Sequence, residues 1–118
     1  MNYISDREEK INLVQESFND LIGGEIQSYE LAQMWRDEEQ KWDNWMDIPL
    51  FLTIEGTTLS ISWQKIDELA IEKGRTLPFS LGGSTVRWLY EGVKSIDSII
   101  GERVESVSIG RGGMSIEE

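Results

Sequence analysis

The chain has 118 residues, of which 39% are hydrophobic, and a formal net charge of −11 at pH 7, so we expect one folded domain over residues 1–118 and not a disordered segment. It contains no cysteine, which excludes disulfides and thiol chemistry. The polar opening "MNYISDREEK" and the lack of a run of about 18 apolar residues argue against a signal peptide and a membrane span, so we expect a cytoplasmic protein. The negative charge repels phosphate groups, which argues against direct binding to nucleic acid or membranes and favours a basic protein partner.

The first predicted element is a helix from about residue 6 to residue 22. Ser5 followed by Glu8 has the spacing of a capping box. Apolar residues then recur at helical intervals until the pair Gly23-Gly24, where the helix should end. These apolar positions are Ile11, Val14, Phe18, Leu21 and Ile22. We expect the helix to cover one face of a sheet.

The next segment, "WRDEEQKWDNWMD" (residues 35–47), combines three of the five tryptophans with five carboxylates, one arginine and one lysine. Two interpretations of its structure remain open. The indoles lie near helical spacing, which favours a surface helix with the indoles buried and the carboxylates in solvent. Alternatively, residues 25–33 form a strand and residues 36–47 form an irregular acidic connection.

The stretch "IPLFLTIEGTTLSISW" (48–63) predicts a β-hairpin, because apolar residues alternate on both sides of a turn signal. A two-residue turn at Gly56-Thr57 would place the alternating apolar residues of both strands on one face. The predicted pairs are Ile54 with Leu59, Leu52 with Ile61, and Leu50 with Trp63. A shift of the pairing register by two residues would keep the apolar residues on the same face of the hairpin and lose one of these pairs. We expect Trp63 in the core.

The second half of the chain is less regular. "WQKIDELAIEKG" (63–74) fits either a helix or a short strand, and "TLPFSLGGS" (76–84) is a loop by its proline and paired glycines. "TVRWLYEGVKSIDSII" (85–100) has apolar residues at three-four spacing, which favours a helix despite Gly92. The tail "SIGRGGMSIEE" has a turn signal at Gly112-Gly113 and predicts a short returning strand.

Two segments of the chain resemble each other. "FNDLIGGEIQSYEL" (18–31) aligns without gaps with "IDSIIGERVESVSI" (96–109), so that Gly23 matches Gly101. Each segment reads as the end of a helix, a glycine in the left-handed C-cap position, and a strand. We expect the two segments to have similar environments, as neighbours in one sheet. The alternative is chance similarity between short amphipathic segments.

Together these elements predict an α+β fold. Its sheet should be antiparallel and strongly curved, with about four to six strands, and should be packed by the N-terminal helix and one or two further helices.

The residue types argue against an enzyme. With neither histidine nor cysteine in the chain, the usual general base, thiol nucleophile and zinc ligands are missing. Carboxylate chemistry remains, but the acidic segment 36–47 lacks the glycine that a calcium loop requires at its bend. The sequence "GRGG" (110–113) precedes no predicted helix that would complete a phosphate site. We expect no catalytic activity, cofactor or metal.

The acidic segment is the candidate partner-binding site. Tryptophan anchors concentrate binding energy at interfaces, and carboxylates around them would steer a basic partner. The alternative is a solvated face over buried indoles. The predicted partner-binding residues are Asp37, Glu38, Glu39, Trp42, Asp43, Trp45 and Asp47.

The hairpin "PLFLTIEGTTLSISW" and the closing "IIGERVESVSIG", in a small, acidic, Trp-rich chain, resemble the immunity proteins that bacteria encode beside secreted polymorphic toxins. These segments cover about a quarter of the chain. The resemblance implies a stoichiometric inhibitor that occludes the active site of a cognate toxin, often a basic nuclease. It assigns no residue roles, because that family is diverse. A general interaction or regulatory module and a nucleic-acid mimic are the alternatives.

Overall fold

The computed structural model describes residues 2–45, 48–65, 67–78, 85–110 and 113–117. It contains an N-terminal helix, a six-stranded antiparallel sheet and a separate two-stranded sheet. The predicted α+β class with a mostly antiparallel sheet is confirmed.

The helices are α1 (Arg7–Phe18), which continues into a 3-10 turn (Asn19–Leu21), and the short α2 (Lys94–Asp97). The strands are β1 (Ile26–Arg36), β2 (Lys41–Asn44), β3 (Leu50–Ile54), β4 (Thr57–Gln64), β5 (Glu68–Lys73), β6 (Val86–Leu89), β7 (Ser106–Gly110) and β8 (Gly113–Glu117).

Helix α1 begins one residue later than the capping box predicted. Asp6 is the N-cap, and its carboxylate accepts a hydrogen bond from the Glu9 backbone N–H at 3.1 Å. Aspartate caps a helix as well as serine does, and its charge also suits the positive end of the helix dipole. Val14 and Phe18 are buried, so this face of α1 packs on the sheet as expected.

Strand β1 is the centre of the six-stranded sheet. Its first half pairs with β3, which continues through β4 to β5. In its second half, Gln33 pairs with Asn44 of β2 and also with Arg87 of β6. A residue has only two sides in a sheet, so β2 and β6 flank β1 on opposite edges.

The β3–β4 hairpin exists, but its predicted register is wrong by two residues. The turn is Glu55-Gly56, and Ile54 pairs with Thr57. Glu55 and Gly56 have φ values of 44° and 79°, and a two-residue turn with positive φ at both positions matches the twist of the flanking strands. The face is preserved: Leu52 now lies opposite Leu59.

The helix predicted over 85–100 is also wrong in its first part. Residues 86–89 form β6, and helical structure is limited to α2 and the turn after it. Valine and tryptophan in "VRWL" suit a strand, and pairing with β1 outweighs the weak three-four spacing. Gly92, with φ of 100°, separates the two elements. The ambiguous segment after Trp63 resolves as strand β5.

The predicted returning strand at the C-terminus is present as β8, which pairs with β7. The turn residues 111–112, and residues 79–84 of the predicted loop, lie outside the described residues.

The two similar segments are neighbours at their glycine turns, but the expectation that they share one sheet is wrong, because β7 pairs with β8 in a separate two-stranded sheet. Gly23 and Gly101 have φ values of 86° and 90°, and Glu25 pairs with Arg103 in an antiparallel bridge. The Gly23 N–H donates to the Val104 carbonyl and the Gly101 N–H donates to the Ile26 carbonyl, each at 2.7 Å. Each glycine turn is therefore hydrogen-bonded to the segment that follows the other glycine.

The hydrophobic core lies between α1 and one face of β1, β3, β4 and β5. Its buried members are Val14, Phe18, Leu21, Ile26, Tyr29, Leu52, Ile54, Leu59, Ile61, Leu69, Ile71 and Val104. Trp63 is half-buried and packs against this cluster, so the expectation that it belongs to the core holds for part of its ring.

A buried tyrosine ties β1 to α2. Tyr29 is 1% exposed, and its hydroxyl donates to the Asp97 carboxylate at 2.6 Å while accepting from the Val93 N–H at 3.1 Å. The second Asp97 oxygen accepts from the Gly92 N–H at 2.9 Å. Burial, followed by the hydrogen bond to Asp97, raises the pKa of Tyr29 above the ordinary 10.0.

Replacing Gly101 by valine should lower the free energy of unfolding by roughly 1–2 kcal/mol, because a β-branched residue is disfavoured at positive φ. A Cβ at this position meets no heavy atom within 4 Å, so the cost comes from the backbone. Gly101→Asn is the matched control and should lose less, since asparagine tolerates this conformation. Urea unfolding measures the free energy of unfolding of both variants. A Gly101→Val variant as stable as the wild type would contradict a left-handed glycine turn at this position.

Tyr29→Phe should lower the free energy of unfolding by about 1–3 kcal/mol, because it leaves the Val93 N–H and the Asp97 carboxylate without the hydroxyl. The native state holds the phenolic proton more tightly than the unfolded chain, so the wild-type contribution is complete below pH 10.0 and is lost as pH rises toward the folded-state pKa. Urea unfolding across this range should show the difference between the proteins shrinking above pH 10.0. If the difference in free energy of unfolding between wild type and Tyr29→Phe did not change with pH, the hydrogen bond from the Tyr29 hydroxyl to Asp97 would not be the source of the stabilisation.

Candidate functional site

The acidic tryptophan segment forms a hairpin. Residues 37–40 are the turn between β1 and β2, and Trp35 pairs with Trp42. The strand predicted over 25–33 is confirmed by β1, whereas the surface helix and the irregular connection are both wrong for the described residues 36–45. Backbone pairing of Gln33–Arg36 with Lys41–Asn44 forms the two strands, and this pairing outweighs the near-helical spacing of the indoles.

The end of this hairpin lies beyond the hydrophobic core. Leu31 packs against the core cluster, but none of residues 32–45, all of which the structure describes, is a member of it. We call residues 33–44 the distal hairpin. Two contacts with the neighbouring segment hold it in place. They are strand pairing with β6 and the bond from the Trp35 backbone N–H to the carbonyl of Thr85, the residue before β6, at 3.1 Å.

One face of the distal hairpin carries a stack of aromatic and cationic groups. The Trp35 and Trp42 rings lie edge to face with centroids 5.4 Å apart. The Arg87 guanidinium lies 4.4 Å from the Trp42 centroid, and its Nε donates to Gln33 Oε1 at 2.8 Å. Arg87 thus covers part of the Trp42 ring, and a partner would have to share or displace this contact to use Trp42 as an anchor.

Most carboxylates of the distal hairpin have partners within the chain. Asp37 accepts from Trp35 Nε1 at 2.7 Å, and ion pairs of 3.0 Å join Asp43 to Arg36 and Glu39 to Lys41. The hydrogen bond to Glu39 raises the pKa of the exposed Lys41 ammonium.

Glu38 differs from these three carboxylates. It is exposed and makes no ion pair or side-chain hydrogen bond with the part of the chain that the structure describes. It is therefore the turn carboxylate that an external cation can approach without displacing an internal one.

Trp45 lies in a different place from Trp42. Its backbone N–H donates to the Ala32 carbonyl at 3.0 Å, and the residue lines a groove of about 470 Å³. The main apolar lining residues are Leu31, Trp45, Ile48, Leu50, Ile61 and Trp63. The predicted site residues are thus divided: five lie on the distal hairpin, Trp45 lines the groove, and Asp47 lies outside the described residues.

Sequence reasoning missed two contributors to these surfaces. Arg87 comes from a segment that was predicted to be helical, and Lys65 lies in the turn after β4 beside the groove. Valine and tryptophan in "VRWL" suit a strand, but nothing local in the sequence places Arg87 over an indole 45 positions earlier. That contact follows from the pairing of β6 with β1.

Comparisons of this chain with protein-family models, with curated proteins and with solved structures found no match. Among the described residues, no three Asp or Glu side chains are grouped so that they could hold a metal ion. No helix in the described part of the chain is long and apolar enough to span a membrane.

Proposed function

We propose that the chain is an immunity protein that neutralises a basic partner, such as a cognate toxin domain, by direct stoichiometric binding. The distal hairpin would meet the partner and occlude its active site. This follows from the resemblance of the sequence to toxin-neutralising proteins and from the arrangement of charge on the hairpin.

The observation that carries the proposal is the position of Asp37, Glu38 and Glu39 in one tight turn at the end of a hairpin outside the core cluster. All three residues are exposed. Consecutive carboxylates at such a tip create a local negative potential that attracts a cationic surface and accelerates encounter. Because none of the residues of the distal hairpin belongs to the core cluster, substitutions on its surface would leave the core intact.

The internal ion pairs suggest how binding would proceed. Glu38 would make the first contact with a basic side chain. Lys41 and Arg36 would release Glu39 and Asp43 to partner cations only where the attraction in the new ion pairs exceeds the cost of desolvating them. Trp42 or Trp45 would add an apolar anchor, and use of Trp42 would require the partner to share or displace the contact with Arg87.

Glu38→Lys is the sharpest test of this proposal. Reversing Glu39 or Asp43 would also place like charges beside Lys41 or Arg36, whereas Glu38 has no such neighbouring pair. With a partner isolated from the producing cell, the variant should associate roughly 2–10-fold more slowly at low salt, with a nearly unchanged dissociation rate. Surface plasmon resonance at two salt concentrations measures both rates.

Glu16→Lys on α1 is the matched control, since it makes the same charge change at an exposed position outside the hairpin. It should associate at close to the wild-type rate. Equal slowing by both variants would assign the effect to net charge, and no slowing by Glu38→Lys would place the binding surface elsewhere. A bound partner that is a nucleic-acid-binding protein, released by added nucleic acid, would favour mimicry over toxin neutralisation.

A further inference from the structure

The outer edge of β2 is a place where the six-stranded sheet can be extended. β2 is the last strand in the sheet order, and its one strand partner among the described residues is β1. In this antiparallel pair the Trp45 backbone N–H donates to the Ala32 carbonyl, and successive residues alternate between facing the partner strand and facing away from it. The backbone groups of Asp43 therefore face β1, whereas those of Trp42 and Asn44 face outward.

Trp42 offers both of its outward backbone groups to a further strand. Neither its N–H nor its carbonyl is hydrogen-bonded to the part of the chain that the structure describes. The outward N–H of Asn44 donates to Asp43 Oδ1 at 3.1 Å, which leaves the Asn44 carbonyl as an acceptor. A residue added opposite Trp42 would exchange two hydrogen bonds with it, and a residue opposite Asn44 would donate a third.

The opposite end of the sheet is already covered. Ile4 exchanges two backbone hydrogen bonds, of 2.8 Å and 2.9 Å, with Leu69 of β5. The N-terminal segment thus supplies an added strand residue at that edge, and no described residue does the same at Trp42. Because an open strand edge is a template for pairing with another chain, the edge of β2 can accept a segment of a partner.

The charge beside this edge favours a basic segment. β2 directly follows the turn of residues 37–40, in which Glu38 makes no ion pair with any described residue. The distal hairpin carries four carboxylates and two cations, which are Asp37, Glu38, Glu39 and Asp43 with Arg36 and Lys41. A second copy of this chain would bring the same excess of negative charge, and −11 in total, so it would be repelled. A cationic segment of another protein would be attracted.

We propose that the basic partner adds a short extended segment to the outer edge of β2 as an antiparallel strand. The segment would carry an apolar side chain opposite Trp42 and basic side chains near the acidic turn. Side chains directly opposite each other on paired strands lie on one face, so the apolar side chain would pack beside the Trp42 ring. This proposal rests on the proposed function, because it gives the chemistry and binding mode of the partner at the same hairpin.

End-capped peptides test the strand pairing without the natural partner. The probe is acetyl-TRVTRT-amide, with valine designed to lie opposite Trp42. An N-methyl group on the valine removes the N–H that would donate to the Trp42 carbonyl and leaves the charge unchanged. An N-methyl group on the threonine after the valine is the matched control, since that N–H would face solvent.

NMR titrations of the full chain measure both the place and the affinity of binding. The unmodified peptide should shift the backbone amide signals of Trp42 and Asn44. The peptide methylated on valine should bind about 3–10-fold more weakly, as expected for loss of one backbone hydrogen bond. The peptide methylated on threonine should bind as the unmodified peptide does.

A pair of variants tests the same bond from the side of the protein. Trp42→Pro removes the ring and the outward N–H, and proline is tolerated in an edge strand where its nitrogen faces solvent. Trp42→Val is the matched control, because it removes the ring and keeps the N–H. The proline variant should bind the unmodified peptide about 3–10-fold more weakly than the valine variant. Circular dichroism checks that both variants are folded.

Three results would overturn strand addition at β2. They are absence of peptide binding, shifts that miss Trp42 and Asn44, and equal affinity for all three peptides. A dimer of the free chain in sedimentation equilibrium, dissociated by Trp42→Pro, would assign the edge to a second copy and would equally reject the proposal.

These results are distinguishable from failure of the proposed function. If strand addition fails while Glu38→Lys still slows association with the natural partner, the partner binds the hairpin through side chains alone. If the peptide binds at β2 and Glu38→Lys has no effect on the natural partner, the proposed function is rejected and the edge remains a site for basic extended segments.

Discussion

Backbone pairing of β1 on both of its edges determines where the rest of the chain lies. In its first half, β1 bonds to β3 and, through Ile26, to Gly101 and Glu102; in its second half, it bonds to β2 and β6. A strand interior leaves no backbone donor or acceptor unpaired when both neighbours are present, and unpaired buried groups are costly. The tail and the acidic turn are therefore both positioned relative to this one strand.

The two halves of β1 differ in what stabilises them. Ile26 and Tyr29 are buried in the core, where each large apolar side chain contributes about 1.5–3 kcal/mol by leaving water. Beyond Leu31 and Ala32, no described residue of the second half belongs to the core cluster or is packed against it, and an isolated two-stranded hairpin is marginal in water. A third strand, β6, and the stack of Arg87, Trp42 and Trp35 supply the missing stabilisation. The distal hairpin is thus ordered by its own surface contacts.

The sequence predicted the features that depend on local chemistry. Helix α1, the apolar face of the β3–β4 hairpin and the left-handed glycines at 23 and 101 all follow from side-chain periodicity or backbone preference. The register of that hairpin was wrong because Gly56 occupies the second turn position, which leaves Glu55 at positive φ in the first. Periodicity cannot distinguish registers that differ by two residues, since both keep the same face.

The features that depend on distant pairing could not be predicted in this way. Strand β6 has four residues, and its identity is decided by the open edge of β1 and not by its own weak pattern. The candidate site shows the same limit. The carboxylates of residues 37–39 were found from composition, but their internal partners, the contact of Arg87 with Trp42 and the separation of Trp45 from Trp42 require the register of three strands.

Native-state hydrogen exchange tests most directly whether the distal hairpin is a surface element supported by β1 and separable from the core. The informative amides are those of Trp35 and Trp45, which bond to the Thr85 and Ala32 carbonyls, and those of Ile26 and Val104, which bond within the paired glycine segments. Trp35 and Trp45 should exchange through local openings that cost less than global unfolding and depend weakly on denaturant. Ile26 and Val104 should exchange close to the global free energy of unfolding. Equal protection and equal denaturant dependence at all four amides would contradict a separable hairpin.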